Sequence, residues 1–310
     1  LAPFFSSWLD QIDVFVEGFD RELDFEAEAQ NQSRFAQRAR DADGWYVPEV
    51  FISSRRIIEM ELVDNAKSLA EAFQLGSPLR KKTIRRQVGR TFLQAMLTQM
   101  LVYKEFHGDL HSGNVLVDPA GKLYFIDWGN TVSLEGIWRP ALMYAQGVLS
   151  GDTDAVVNAV INMSVAGKAS AKQRKEIEAT VLKAFAAADV TPLRYDFART
   201  LYEEGVEGLI GRADLAMRLA SGLTRQGVVI KGEYLHLSRS VAAMIGSYMA
   251  IYTGLSRSAM LLDAIEVSWR FPVSIGRLGL EAARKRLLKY MFGIAPSKEK
   301  MLALLPQGEP

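Results

Sequence analysis

The spacing of apolar and polar positions predicts two helices at the start of the chain. They cover Phe4–Val16 and Glu22–Arg40. In the second helix, Phe25, Ala29 and Phe35 fall near one face while the charged residues fall elsewhere. This is the pattern of a helix that buries one side against other elements.

Two β-hairpins are predicted from apolar clusters on either side of polar turns. Residues Tyr46–Leu62 carry such clusters around Ser53–Arg56, and this is the only sheet signal that we find before residue 110. Further along, Asn114–Val117 and Leu123–Ile126 alternate around Asp118–Gly121, a stretch of strong turn formers. The second hairpin is therefore expected to reverse the chain tightly.

A long helix is predicted after Pro78, because apolar residues recur there at every fourth position. These residues are Ile84, Val88, Phe92, Met96 and Met100. The basic run LRKKTIRR opens this helix. Because the apolar positions already explain the helix, we expect the run to be solvated rather than to bind phosphate or lipid.

Beyond Gly136 the pattern is helical throughout, with breaks at glycine and proline. The predicted helices are Ile137–Leu149, Thr153–Met163, Ala171–Ala188, Tyr195–Leu219, Tyr234–Tyr252 and Trp269–Tyr290. In the fifth helix one stripe is expected to be buried core, and it consists of Val241, Met244, Ile245, Tyr248, Met249 and Tyr252. The most apolar window, Val241–Tyr252, is shorter than the roughly 20 residues that span a bilayer.

Composition narrows the classes of function. The chain has 310 residues, of which 49% are hydrophobic, so it can fill a substantial core. Its 37 basic and 36 acidic residues give a net charge of +1, and we therefore expect no nucleic-acid partner. With no cysteine and three histidines, neither disulfides nor a His-rich zinc site is expected. We expect a cytoplasmic protein and, because the chain begins with Leu and has no signal-peptide pattern, a fragment.

The stretch HGDLHSGNVLVDPAGKLYFIDWG, His107–Gly129, carries the candidate chemistry. Asp109, Asn114 and Asp127 stand in the order and spacing of a kinase catalytic apparatus. Catalysis of phosphoryl transfer depends on positioning and on metal ions that neutralise charge. Asn114 and Asp127 supply hard oxygen ligands suited to Mg²⁺, and Asp109 would accept or orient the proton of the attacking hydroxyl or water.

Three neighbouring residues complete the candidate site. We expect His107 to brace the loop by hydrogen bonds, with direct catalysis as the alternative. His111 is a weaker candidate for contact with the substrate or the transferred phosphate. Gly129 is expected to let the backbone turn away after Asp127 without steric cost.

The run resembles the catalytic and metal-binding loops of the protein-kinase-like superfamily. Within it, the chain is most similar to the UbiB or aarF-domain atypical kinases, because RELDFEAEAQNQSRF looks like that family's E-x-D signature and the helix that follows it. The resemblance assigns Glu22 and Asp24 to the E-x-D pair and Glu28 to the glutamate that pairs with an ATP-binding lysine. It also implies that the backbone near Glu61 and Leu62 meets adenine.

The resemblance implies an α+β, predominantly α fold of the protein-kinase type. Residues 1–62 would form a partial N-lobe and residues 63–310 a large helical C-lobe. Two departures stand out: Leu110 and Ser112 replace the family's prolines, which is expected to loosen the loop, and the first lysine of the chain is Lys67. No residue before Glu28 can therefore serve as the ATP-binding lysine.

The implied function is Mg²⁺-dependent ATP hydrolysis or phosphoryl transfer that supports ubiquinone or other isoprenoid-lipid metabolism. Isoprenoid lipids or quinone-biosynthesis proteins would be the partners. Two alternatives stay open, a small-molecule phosphotransferase of the aminoglycoside or choline kinase type and a non-catalytic pseudokinase scaffold. The segment Arg277–Lys298 is basic and amphipathic, which suits either a packed helix or peripheral contact with an anionic membrane.

Overall fold

The structure is a computed structural model, and it describes residues 24–271 with gaps at 41–43, 75–76, 78, 80, 189–214, 217, 220–221, 224–227 and 257. Five predictions fall wholly or mostly outside these residues. They are the helix Phe4–Val16, the helices Tyr195–Leu219 and Trp269–Tyr290, the basic amphipathic segment Arg277–Lys298, and the role of Glu22.

Helices make up most of the described chain. They are α1 (Phe25–Arg40), α2 (Leu69–Ala72), α3 (Lys82–Leu97), α4 (Trp138–Ser150), α5 (Thr153–Met163), α6 (Ala171–Ala187) and α7 (Gly232–Ile251), and residues 258–271 are also helical. The strands are β1 (Trp45–Tyr46), β2 (Val50–Ser54), β3 (Ile57–Met60), β4 (Lys67–Ser68), β5 (Glu105–His107), β6 (Val115–Val117), β7 (Leu123–Phe125) and β8 (Thr131–Ser133). The predicted α+β, predominantly α class is confirmed.

Local signals explain several helix boundaries. Asp152 caps α5 by accepting a hydrogen bond from the Ala155 amide at 3.0 Å. Ser170 and Gln173 form a reciprocal capping box at the start of α6. Gly151 ends α4 in the left-handed region, with φ of 67°, where glycine carries no steric penalty.

The strands form three small sheets. The largest has the order β1-β7-β6-β4, in which β1 runs parallel to β7 and the other pairs are antiparallel. The predicted hairpins are β2 with β3 and β6 with β7, and β5 pairs with β8. The expectation of a single sheet signal before residue 110 was wrong, since β4 and β5 also lie in that part of the chain. The sequence pattern missed them because they are only two and three residues long and show no alternation.

Two hydrophobic clusters fill the interior. The first lies around α1, α3 and the β6–β7 hairpin and includes Phe35, Phe92 and Trp128. The second lies among β5, β8 and helices α4 to α7 and includes Phe106 and Val160. Leu110 belongs to the first cluster and Phe106 to the second. The loop that carries Asp109 is thus held from both sides.

The basic run LRKKTIRR at the start of α3 is expected to be solvated, but the structure confirms this only in part. Lys81 and Lys82 are exposed, but Arg85 is only 4% exposed. Its Nε donates to the Ile251 carbonyl at 2.8 Å, and its second guanidinium branch donates to the Thr253 carbonyl. Arg85 therefore satisfies backbone acceptors at the end of α7, a role that a run of charges does not reveal.

The predicted apolar stripe on α7 is only partly buried. Tyr252 is buried, but Met249 is 46% exposed and the other four residues are half-buried. The buried residues on α7 are Tyr234, Leu237, Ser240, Ser247 and Ile251, so two serines were missed. No helix in the described ranges is both long enough and apolar enough to cross a membrane.

Candidate active site

The β6–β7 hairpin brings Asn114 and Asp127 together. The two strands pair in register from Val115 with Phe125 to Val117 with Leu123, and the Ile126 amide donates to the Asn114 carbonyl at 3.1 Å. The Asn114 Nδ2 atom lies 3.4 Å from Asp127 Oδ2. Residues separated by thirteen positions in sequence therefore share one site.

Asp109 joins this pair through the backbone. Asn114 Nδ2 donates to the Asp109 carbonyl at 3.0 Å, and the His111 amide donates to the same oxygen at 2.9 Å. The Asp109 residue is exposed. The hydrogen bond to the Asp109 carbonyl thus fixes the orientation of the Asn114 side-chain amide, while the Asp109 carboxylate stays exposed to solvent.

The turn after the hairpin is made by Asp127 itself rather than by Gly129. Asp127 has φ of 63°, in the left-handed region, whereas Gly129 is not among the residues with positive φ. Aspartate tolerates this region better than most residues because its short side chain can hydrogen-bond locally. The expectation that Gly129 provides the turn was therefore wrong.

Gly129 lies beside two carboxylates of the candidate site. A Cβ atom at this position would lie 3.6 Å from Asp127 Oδ1 and 3.9 Å from Glu28 Oε2. The two carboxylates therefore flank the glycine on the same side. Both distances are ordinary van der Waals contacts, so the structure does not demand glycine at this position.

The Glu28 carboxylate lies near the carboxylate of Asp127, which carries the same charge. Burial raises the pKa of Glu28, the Asp127 carboxylate raises it further, and a hydrogen bond with the Trp128 backbone lowers it in part. Within the described ranges, no lysine or arginine lies within ion-pair distance of Glu28. A cation between these two carboxylates would lower the energy of both.

The donor set fits a magnesium ion completed by other ligands. The described residues contain no group of three His, Asp or Glu side chains placed to hold a metal. They do offer one Asp127 carboxylate and the Asn114 Oδ1 atom, which accepts no hydrogen bond from the described chain. Mg²⁺ commonly binds to one or two such protein groups and takes its remaining ligands from water and phosphate.

His107 lies beneath the loop and is fully buried. Its Nδ1 atom accepts from the Asp109 amide at 3.2 Å, so Nε2 carries the proton and donates to the Ile126 carbonyl at 3.0 Å. The ring also packs 4.6 Å from the Trp128 ring. Both nitrogens are thus engaged by backbone groups, which is the geometry of a positioning residue.

The other predicted site residues lie around or away from this centre. His111 is exposed, and its Nδ1 accepts from the Gly113 amide at 3.0 Å. Asp24 accepts from the Ala27 amide at 3.2 Å at the start of α1. Glu61 accepts from the Glu49 amide at 3.2 Å, and Leu62 is 81% exposed.

Glu61 lines a cavity of about 790 Å³ that also includes Tyr46 and Tyr124 but not Asp109, Asn114 or Asp127. The structure therefore brings together Asp109, Asn114, Asp127 and Glu28. Among the described residues, no hydrogen bond or ion pair joins these four to Glu61 or Leu62.

The chain matches a known family model over residues 2–160, about half of its length, and that model describes the ABC1 atypical kinase-like domain. The chain belongs to the ABC1 atypical kinase-like family. The predicted membership of the UbiB or aarF-domain atypical kinases is thereby confirmed. The matched region contains every predicted site residue, from Glu22 to Asp127.

Curated relatives of this ABC1-family chain carry kinase names. ACTIVITY OF BC1 COMPLEX KINASE 8, a chloroplastic protein of Arabidopsis thaliana, is 30% identical over 165 residues, which is 51% of this chain and 21% of the relative. ACTIVITY OF BC1 COMPLEX KINASE 3, also chloroplastic and from that plant, is 37% identical over 123 residues, or 39% and 17% of the two chains. The chain thus spans about a fifth of the length of these relatives.

A solved structure is also similar to the chain. It is a complex of a Mycobacterium tuberculosis protein with erythromycin, and it aligns with 67% of this chain and 57% of its own at 18% identity and a TM-score of 0.41.

Sequence reasoning missed two residues that hold the ABC1 site in place. Asn31 Nδ2 donates to the Trp128 carbonyl at 3.0 Å, next to the stacked rings of Phe35 and Trp128. Gln99, in the π-helical turn Thr98–Tyr103, accepts from the His107 amide at 3.1 Å. Asn31 lies three residues after Glu28 within the quoted segment RELDFEAEAQNQSRF, so a sequence signal was present, whereas Gln99 has none.

The buried His107 predicts a dependence of stability on pH. Burial lowers the pKa of His107, although the hydrogen bond with Ile126 raises it in part. As pH falls below about 6.5, the unfolded chain takes up a proton that the folded chain excludes. We therefore expect folding stability to fall by up to about 1.4 kcal/mol per pH unit for this group, until the folded pKa is reached.

The measurement is the thermal unfolding midpoint between pH 5 and 8. His107→Gln should remove this part of the pH dependence, and the matched control His111→Gln should keep it. An unchanged slope in His107→Gln would contradict the assignment.

Proposed function

We propose that this ABC1-family chain binds ATP with Mg²⁺ and transfers or hydrolyses the terminal phosphoryl group. The observation that carries the proposal is the approach of Asn114 to Asp127 across the hairpin, with Nδ2 and Oδ2 3.4 Å apart. Asp109 stands on the same loop and contributes the carbonyl that orients Asn114. The kinase names of the relatives agree with this class of chemistry.

Each residue has a distinct task in this proposal. When bound, Mg²⁺ would neutralise charge on the phosphate oxygens. Asn114 and Asp127 would hold the ion, and the exposed Asp109 carboxylate would accept the proton of an attacking hydroxyl or water. Glu28 would orient a cation or a cationic side chain beside Asp127.

Gly108 supports an acceptor other than a protein. Conventional protein kinases have an arginine at this position that senses a phosphorylated activation loop. Here the Gly108 amide donates to the Asn130 carbonyl at 2.8 Å, and a Cβ atom would lie 3.1 Å from the Asn130 backbone. Residues 130–137 contain only β8, which pairs with β5, and a short turn.

Because the chain belongs to the ABC1 family and resembles the UbiB kinases, we propose a role in ubiquinone or other isoprenoid-lipid metabolism, with a lipid or a quinone-biosynthesis protein as partner. Peripheral contact with a membrane would bring such a lipid to the protein. ATP turnover that rises with vesicles containing an isoprenoid quinone precursor, and not with plain phospholipid vesicles, would support this role. Equal turnover with both kinds of vesicle would count against it.

Asp109→Asn tests the chemistry separately from nucleotide binding. Loss of a general base typically costs about 100-fold or more in rate, so we expect phosphate release to fall by about 100-fold. The dissociation constant of Mg-ATP should stay within about twofold, because the Asp109 carboxylate is not assigned to the metal. Both quantities can be measured by a phosphate-release assay and by calorimetry on the purified protein.

A matched control is Asp118→Asn. Asp118 lies in the turn of the same hairpin, where its carboxylate accepts from the Ala120 and Lys122 amides at 2.8 and 2.9 Å. An asparagine oxygen can accept the same bonds, so turnover should not change. Unchanged turnover in Asp109→Asn would remove the catalytic role of Asp109.

The environment of Glu28 favours one second candidate, a pseudokinase that binds nucleotide without turning it over. The carboxylates of Glu28 and Asp127 repel each other, and no described cation separates them. Calorimetry would then detect Mg-ATP binding while phosphate release stays at background in the wild type. Turnover above background that depends on Asp109 would reject this candidate.

A further inference from the structure

Ser247 connects α7 to the candidate catalytic loop. Its side chain is 2% exposed, and its Oγ donates to the Leu110 carbonyl at 2.8 Å. The two residues are 137 positions apart in sequence. The Leu110 carbonyl accepts no other hydrogen bond from the described chain, so Ser247 is its partner in a buried place.

Leu110 stands between the residues assigned to chemistry. It directly follows Asp109, whose own carbonyl orients the Asn114 amide group. The Leu110 side chain is fully buried in the first hydrophobic cluster. The replacement of the family's proline was expected to loosen the loop, but this residue is fixed at both its side chain and its carbonyl.

The end of α7 is itself held firmly against α3. Arg85 donates to the Ile251 and Thr253 carbonyls, and Tyr252 donates to Asp263 at 2.9 Å. Gly89 allows this approach, because a Cβ atom there would collide with the Tyr252 ring. Ser247 therefore projects from a helix that cannot shift without breaking these contacts.

We propose that Ser247 is a positioning residue that fixes Asp109 and Asn114 through the Leu110 carbonyl. The inference rests on the proposed function for its effect on catalysis, but the anchoring of the loop can be tested without activity. Removal of the hydroxyl leaves a buried carbonyl without a donor, and the loop gains freedom at the peptide that joins Leu110 to His111.

The chain provides a close control on the same helix. Ser240 is 1% exposed, and its Oγ donates to the His236 carbonyl at 2.9 Å, within α7. Ser247→Ala and Ser240→Ala thus remove the same atom from equally buried sites. Only the first removes a bond to the catalytic loop.

The first measurement is hydrogen exchange of the amides in residues 108–114. In the folded loop, the amides of Gly108, His111 and Asn114 donate to backbone carbonyls. We expect Ser247→Ala to speed their exchange by about tenfold and Ser240→Ala to leave it unchanged. Equal exchange in both variants would overturn the inference, whatever the protein does with ATP.

The second measurement separates the hydrogen bond from packing. Ser247→Cys keeps a side chain of the same shape, with a slightly larger sulfur that is only a weak donor, so its exchange and turnover should resemble those of Ser247→Ala. We expect turnover at saturating Mg-ATP to fall by about tenfold in both, with KM for ATP unchanged. Wild-type values in Ser247→Cys would show that volume, not the hydroxyl, matters.

The two proposals can fail independently. Faster exchange in Ser247→Ala together with full turnover in Asp109→Asn would keep the anchor and reject the proposed function. Normal exchange in Ser247→Ala together with loss of turnover in Asp109→Asn would do the reverse.

Discussion

Asp127→Asn is expected to lower ATP turnover by about 1000-fold. The carboxylate is the one charged protein group assigned to the metal, and metal-based charge stabilisation is typically worth several kcal/mol, each about 1.4 kcal/mol of which changes the rate tenfold. Asparagine also adopts the left-handed conformation that Asp127 has, so the backbone of the turn should be kept. The loss should appear in a phosphate-release assay at saturating ATP.

The same variant should not lose stability, which separates chemistry from folding. Asp127 raises the pKa of Glu28 by repulsion, and removing its charge relieves that repulsion. We therefore expect a thermal unfolding midpoint equal to or above that of the wild type. Excess Mg²⁺ should restore part of the turnover, whereas full turnover at ordinary Mg²⁺ concentrations would contradict the role of Asp127.

Asp263→Ala is expected to destabilise the protein by about 3 kcal/mol. Asp263 is fully buried and accepts four hydrogen bonds, two from Arg86 and one each from Arg90 and Tyr252, at 2.7 to 2.9 Å. Breaking a buried ion pair by removing one partner costs about 3 to 5 kcal/mol. We expect the lower end, because the Arg86 and Arg90 side chains are 30% and 38% exposed and water can reach them.

Urea denaturation measures this effect, and Glu266→Ala is the control. Glu266 pairs with Arg90 and Arg270 at 2.9 and 3.1 Å but is 31% exposed, so its loss should cost less than about 1 kcal/mol. Equal shifts in the denaturation midpoint for the two variants would contradict the large contribution to stability assigned to Asp263.

The stabilisation that Asp263 provides is expected to depend on pH. Burial by itself would raise the pKa of Asp263, but hydrogen bonds from Arg86, Arg90 and Tyr252 hold it below its ordinary value. A carboxylate with a depressed folded pKa stabilises the protein above about pH 4 and loses that contribution as pH falls through the folded pKa. The stability difference between the wild type and Asp263→Ala should therefore shrink in acid.

The sequence predicted the parts of the site that depend on local patterns. Turn formers between two alternating segments indicated the β6–β7 hairpin, and the hairpin alone suffices to bring Asn114 beside Asp127. The long-range partners of that site could not be found in this way. Ser247 and Gln99 act through hydrogen bonds to backbone, and neither belongs to a recognisable motif.

The helix at residues 258–271 shows why a pattern can mislead. Its buried residues include the acid Asp263, while Leu262, Ile265 and Trp269 are 60%, 40% and 85% exposed. The inward face carries this charge among the apolar Ala259, Val267 and Phe271, so Asp263 departs from the usual apolar composition of a buried face. Arg86 and Arg90 of α3, which are distant in sequence, and Tyr252 donate the hydrogen bonds that make the burial of Asp263 favourable.

The left-handed backbone at Asp127 restricts how this protein can change over evolutionary time. Glycine and asparagine accept that conformation, whereas β-branched residues strongly resist it. A lineage that lost the proposed catalysis is therefore expected to accept either of these two residues and to keep an intact fold. In such descendants, glycine or asparagine at position 127 would indicate that the proposed activity was lost, while the fold around it stayed the same.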